Sequence, residues 1–126
     1  METELFRELG FTDREIKVYL ALLDLGSTTV GPITSKTKLQ AAKVYETLEK
    51  LKEKGLTSFV LVSKTKYFQA SDPQEILHLL DERKRRFKEI LEELRLKQKD
   101  HEPKQVAVIH EGYKAFKALF NRIADE

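Results

Sequence analysis

The sequence predicts a mainly α chain of the α+β class, and three observations predict it. Up to Gly55, apolar residues recur at helical spacing and are punctuated by Gly10, Gly26 and Gly55. From Leu56 to Ala70 the period drops to about 2, with β-branched and aromatic residues prominent. Beyond Pro73 the chain runs to Gln98 without glycine or proline. Its 126 residues suffice for one compact domain and an appendage.

Leu5, Phe6 and Leu9 predict a short lead-in helix ending at Gly10. Thr12 and Glu15 then form a capping box, with Phe11 placed for a hydrophobic staple against Ile16. Ile16, Tyr19, Leu20, Leu22 and Leu23 give the inward spacing of the next helix, and Gly26 stops it. Thr29 or Gly31 caps a short helix with Pro32 in its first turn and Ile33 inward. That helix ends near Thr37, and a turn at Lys38 leads into the following one.

The functional reading turns on Leu39 to Gly55. Ala41, Val44, Tyr45, Leu48 and Leu51 form one predicted buried stripe. Gln40, Lys43, Thr47, Lys50 and Lys54 fall on one flank, and Ala42, Glu46, Glu49 and Glu53 on another. Gly55 caps the helix, with Lys50, Lys52 and Lys54 in the last turns, where cations suit the helix dipole. A basic flank on such a helix can be presented to a polyanion. An ordinary surface helix with Glu–Lys pairs such as Glu46–Lys50 shows the same pattern, so this stretch alone does not decide.

Its neighbours bear on the choice. Leu56–Val62 and Lys66–Ala70 read as two strands of a hairpin with Ser63-Lys64-Thr65 at the tip. Three helices followed directly by a lysine-tipped hairpin describe a winged helix-turn-helix over residues 1–72. In that architecture the third helix enters the major groove and the hairpin touches the flanking backbone. Lys36, Lys38, Lys64 and Lys66 are expected at phosphates, and Gln40, Ala42, Lys43 and Thr47 at base edges.

Asp72 and Pro73 start a long helix over 73–98, roughly 39 Å at 1.5 Å per residue. Leu77, Leu80, Phe87, Leu91 and Leu94 follow a heptad seam, with Lys84 and Gln98 at two of its a positions. A coiled coil between two copies is expected, its interface formed by Leu77, Leu80, Lys84, Phe87, Leu91 and Leu94; the alternative folds the helix back over its own winged helix. Arg83–Arg86 shares this helix with many carboxylates and reads as a solvated face. Residues 99–126 comprise a linker to Pro103, a strand over 105–110 and a helix over 111–123. One strand and one helix cannot form a domain, so the strand is expected to pair with another copy or another part of the chain.

Composition narrows the chemistry. There is no cysteine, hence no disulfide, zinc thiolate or cysteine nucleophile. No apolar run approaches a membrane span, and the charged start does not read as a signal peptide; a cytoplasmic protein is expected, with no membrane partner. Charged residues make up 35%, yet the net charge is +2, so nucleic-acid binding must rest on local clustering. The Lys and Glu content suits a heat-adapted source. Ser35-Lys36-Thr37-Lys38 matches S-x-x-K without the motifs that accompany it in serine acyl enzymes, and is read as chance. No phosphate-binding glycine loop is present. His78, His101 and His110 lack ligand spacing; no metal, cofactor or enzymatic activity is expected. Tyr19, Tyr45, Phe59, Tyr67 and Phe68 are read as core rather than as a base-stacking platform.

Three stretches together resemble the TrmB-type family of transcriptional regulators, largely archaeal. They are G-F-T-D-R-E-I-K-V-Y-L-A-L-L-D-L-G, K-V-Y-E-T-L-E-K-L-K-E-K-G-L and Y-F-Q-A-S-D-P, within about residues 9–98. The resemblance implies a dimer that binds a palindromic or repeated operator on double-stranded DNA. Two departures stand out. Lys38 replaces a Gly-like residue at the turn before the recognition helix, and Gln40-Ala41-Ala42 replaces a start with proline and polar residues. Base contacts of the family therefore do not carry over directly, although Lys43 matches its pattern. Gln40 can pair with adenine and Ala42 can touch a thymine methyl. Larger relatives carry a sugar-binding effector domain after the coiled coil; V-A-V-I-H-E-G-Y-K-A-F resembles its beginning, and a complete sugar site is not expected here. Two other classes stay open: a protein-interaction scaffold without specific DNA readout, and a repressor whose small effector binds between tail and coiled coil.

Overall fold

The computed structural model describes residues 1–99. The predicted linker beyond Lys99, the strand over 105–110, the helix over 111–123, and His101 and His110 lie outside the described residues. A compact unit, Met1–Arg85, holds six helical and strand segments and the start of the last helix; from Arg86 that helix belongs to a second unit. The elements are α1 (Glu4–Glu8), α2 (Asp13–Leu25), α3 (Val30–Thr37), α4 (Ala41–Glu53), β1 (Thr57–Val62), β2 (Thr65–Ala70) and α5 (Gln74–Lys99).

The helix α2 is the centre of the first unit and packs against α3, α4 and β2. The capping box forms: the Glu15 amide donates to the Thr12 hydroxyl, and the Thr12 amide donates to the Glu15 carboxylate. Phe11 and Ile16 both enter the core, and Phe6 meets Phe11 edge-on at 5.8 Å. Because neighbours cover α2 on several sides, Val18 is fully buried, although the single predicted stripe omits it. Leu23 within that stripe is exposed.

The turn between α3 and α4 places Lys38 in the left-handed region, φ 63° and ψ 19°. At the far end of α4 the Leu56 amide donates to the Leu51 carbonyl, and the Gly55 amide to the Lys52 carbonyl, both at 2.9 Å. This is a Schellman cap. It needs a left-handed residue after the helix, and Gly55 supplies φ 77° without a side-chain clash.

Strands β1 and β2 pair antiparallel from Thr57↔Ala70 to Val62↔Thr65. The tip is one residue shorter than predicted. Ser63 and Lys64 form it with φ 49° and 67°, as a type I′ turn requires. A single bridge, Thr28↔Phe68, adds the chain before α3 to the edge of the hairpin. Tyr19 donates to the Ser71 carbonyl and Ser71 to the Leu56 carbonyl, tying the hairpin base to α2 and to the end of α4. Helix α5 opens with the Asp72 carboxylate accepting from the Gln74 amide. Ile76 and Leu79 then pack against the core, and Arg83 donates to the Leu9 carbonyl. The first turns of α5 are thus seated on the unit they follow.

Candidate nucleic-acid interface

In α4 the buried row is Val44, Thr47, Leu48 and Leu51. This corrects the predicted stripe in three places. Ala41 is exposed and Tyr45 is 54% exposed, whereas Thr47 is 3% exposed. The Thr47 hydroxyl donates to the Lys43 carbonyl at 2.6 Å, which satisfies it inside the core. Thr47 therefore does not face base edges, and it leaves the set of candidate readers. Tyr45 instead leans towards the hairpin, edge-on to Phe68 at 6.3 Å.

Lys54 is also displaced from the predicted basic flank. Its ammonium pairs with the buried Glu15 carboxylate and lies 4.7 Å from the centre of the Phe11 ring. It is a structural cation. Sequence reading missed this pair because its partners are 39 residues apart and Glu15 already had a local role.

The remaining candidates are exposed: Lys36, Lys38, Gln40, Ala42, Lys43, Lys64 and Lys66. Their surroundings differ. Lys36 lies 3.6 Å from Asp24, and Lys43 lies 3.8 Å from Glu46, which also meets Lys50 at 3.7 Å. These pairs are on the surface, worth at most about 1 kcal/mol each, and a polyanion can displace them. Lys38 and Lys64 have no ion-pair partner among the described residues, and both occupy left-handed turn positions. Lys66 lies over the Phe59 ring at 4.6 Å.

The hairpin packs along the Tyr45–Lys52 side of α4. Between them is a crease of about 140 Å³, walled by Tyr45, Glu49, Lys52, Ser58, Phe59 and Lys66 among others. Lys52 approaches the same Phe59 ring at 5.3 Å. Sequence reading placed Lys52 only in the basic last turn. Two aromatics it assigned to the core, Tyr45 and Phe59, line this crease, and no local pattern distinguishes such positions from buried ones.

Along α5, Leu77 is exposed and Leu80 half-buried in the first unit. In the second, Phe87 and Leu94 are exposed and Leu91 is half-buried. Ile90, off the predicted seam, is exposed beside them, and Lys84 is exposed too. No described helix is long and apolar enough to cross a membrane.

Three helices and a hairpin set against the third define a winged-helix domain, and solved structures match that fold. An archaeal chromatin protein, TrmBL2, whose structure is described as showing a novel mode of DNA binding, has a TM-score of 0.67 at 24% identity. The match covers 78% of this chain and 38% of that one, so this chain spans well under half of that relative's length. A possible transcriptional regulator from Methanosarcina mazei Go1 has a TM-score of 0.57 at 15% identity, covering 79% of this chain and 86% of that one. Bordetella bronchiseptica BpsR, whose DNA binding is described as regulated by 6-hydroxynicotinic acid, has a TM-score of 0.52 at 16% identity, with 90% and 81% covered. At these identities the likeness concerns the fold. No curated protein sequence matches. Residues 5–74 match the family described as the sugar-specific transcriptional regulator TrmB. The chain belongs to the TrmB family of winged-helix transcriptional regulators.

Proposed function

We propose that the protein acts as a homodimer that reads specific sites on double-stranded DNA, with α4 in the major groove and the hairpin on the backbone. The observation that carries this reading is the exposure of α4 from Gln40 to Lys43 beside a hairpin with an unpaired lysine at its tip. Lys36, Lys38, Lys64 and Lys66 serve as phosphate contacts, and Gln40, Ala42 and Lys43 as base readers. Two copies join through the seam of Leu77, Leu80, Lys84, Phe87, Leu91 and Leu94, of which Leu77, Phe87 and Leu94 are otherwise left in water. Titrating labelled duplexes with the full chain at about 50 and 200 mM salt tests the binding. The reading requires affinity that falls steeply with salt; no binding at the lower salt would remove it.

One observation favours the scaffold reading. On 3.6-residue geometry Ala42, Glu46, Glu49 and Glu53 are the row of α4 farthest from its buried side, so that row is acidic. Under the scaffold reading the protein still dimerises but shows no preference among duplexes. A sequence preference in the same titration excludes it.

A further inference from the structure

We propose that the crease between α4 and the hairpin seats one backbone phosphate of duplex DNA, held jointly by Lys52 and Lys66, with Tyr45 on its rim. The proposal rests on the DNA-binding reading above. It adds a binding site that the motif does not specify.

Lys52 comes from the last turn of α4 and Lys66 from β2, yet both ammonium groups lie over one ring, Phe59, at 5.3 and 4.6 Å. Two cations near one ring repel each other, and attraction to the ring offsets only part of this. An anion that both ammonium groups reach from the crease offsets the rest. Neither ammonium has an ion-pair partner among the described residues, whereas Lys36, Lys43, Lys50 and Lys54 each have one. The two crease lysines are therefore positioned without being neutralised.

Size selects the occupant. The crease, about 140 Å³, is well below the ~300–1,000 Å³ of sites that enclose a drug-sized ligand. It suits a group the size of a phosphate that enters from one side and remains attached to a chain. Place agrees with size, since a winged-helix hairpin lies against the backbone that flanks the groove its helix enters. Glu49, also in the wall, opposes an anion, so the phosphate belongs on the Phe59 side. Neutralising Glu49 should then tighten binding to every duplex.

The test measures affinity of the full chain for a mixed-sequence duplex across a salt series. It compares wild type with Lys52→Ala, Lys66→Ala, the double variant, Phe59→Leu and Glu49→Gln. Because one phosphate is shared, the double variant should lower the slope of log affinity against log salt by about 0.9, and each single variant by a part of that. For the double variant near 0.1 M salt this is about a ten-fold loss of affinity. Phe59→Leu should weaken binding although no charge is removed, and Glu49→Gln should strengthen it. Melting temperatures establish that each variant is folded; Lys52→Gln with Lys66→Gln replaces the double variant if alanine unfolds it. Slopes equal to wild type, or a double variant that loses about twice 0.9, would overturn the shared seat while leaving DNA binding intact. Inorganic phosphate raising the melting temperature of wild type but not of the double variant, with DNA slopes unchanged, would also overturn it in favour of a free-anion site. A wild-type chain that binds no duplex at low salt would instead remove the DNA-binding reading, and the seat with it.

Discussion

The Lys54 ammonium, at the end of α4, reaches the Glu15 carboxylate in the first turn of α2 at 2.5 Å. Glu15 also accepts from the Thr12 amide, so one carboxylate closes a helix cap and receives the cation of another helix. Only 3% of the Glu15 side chain is exposed, against 20% for Lys54. The pair thus fixes how the candidate recognition helix is set against the domain, and links its placement to the local chemistry of α2.

Lys54→Met keeps a chain of similar length over Phe11 but leaves the buried carboxylate without its cation. A loss of about 3 kcal/mol is expected, the lower end of the range for breaking a buried pair, because water reaches Lys54. Urea unfolding of the variant beside wild type measures it; a change below about 0.5 kcal/mol, the size of an ordinary surface substitution, would show the pair to be incidental.

Acid should expose the same relationship. Burial pushes the Glu15 carboxyl up, but the Lys54 ammonium and the Thr12 amide outweigh it and hold its pKa below the ordinary 4.5. A carboxyl with a depressed folded-state pKa contributes stability that is fully present above the unfolded value. That contribution is lost as pH falls through the folded value. Unfolding free energy should therefore decline below about pH 4.5, and decline less in Glu15→Gln. Identical pH profiles for the two chains would contradict the assignment.

Lys38 holds a left-handed conformation that disfavours side chains bearing a Cβ. Lys38→Gly should stabilise the fold by about 0.5–1 kcal/mol, the relief of strain being partly offset by a freer unfolded chain. The same substitution removes a proposed phosphate contact. Stability should rise while duplex affinity falls, a divergence readable by thermal melting and titration on one sample.

On α5, Phe87→Glu places a charge in the proposed seam of two copies. The variant should shift to monomer at concentrations where wild type sediments as a dimer. Unchanged sedimentation would exclude this seam as the interface.

Much of this fold was legible because its signals are local. Thr12 with Glu15, Asp72 ahead of Pro73, and Gly55 after the last helical turn each announce a boundary within four residues. The change of period at Leu56 likewise separated helix from hairpin. What the sequence concealed depends on distant partners. Thr47 shares the buried row of α4 with Val44, Leu48 and Leu51 because the rest of the domain packs over that row, and its hydroxyl is satisfied there by the Lys43 carbonyl. Tyr45 is drawn to the exposed flank beside Phe68, and Lys54 inward to Glu15. The Thr28–Phe68 bridge is a single residue pair, too short for any periodic signal. For the interface, the exposed lysines were legible as residue types, whereas the pairing of Lys52 and Lys66 over Phe59 required the packing of the hairpin.

The two proposed contact roles should separate by mutation. Lys43→Ala should weaken binding to a preferred site by about 1–3 kcal/mol and have less effect on mixed-sequence DNA. Lys64→Ala should weaken all duplexes similarly and reduce the salt slope by about 0.9. Equal behaviour of the two variants on specific and mixed DNA would contradict the division.

Selecting bound fragments from a random duplex pool with the full chain, at stated salt, tests the central claim most directly. Enrichment of a palindromic or directly repeated motif, with half-sites spaced by whole turns of the duplex, is the predicted result. A pool that emerges with its initial sequence distribution would contradict it.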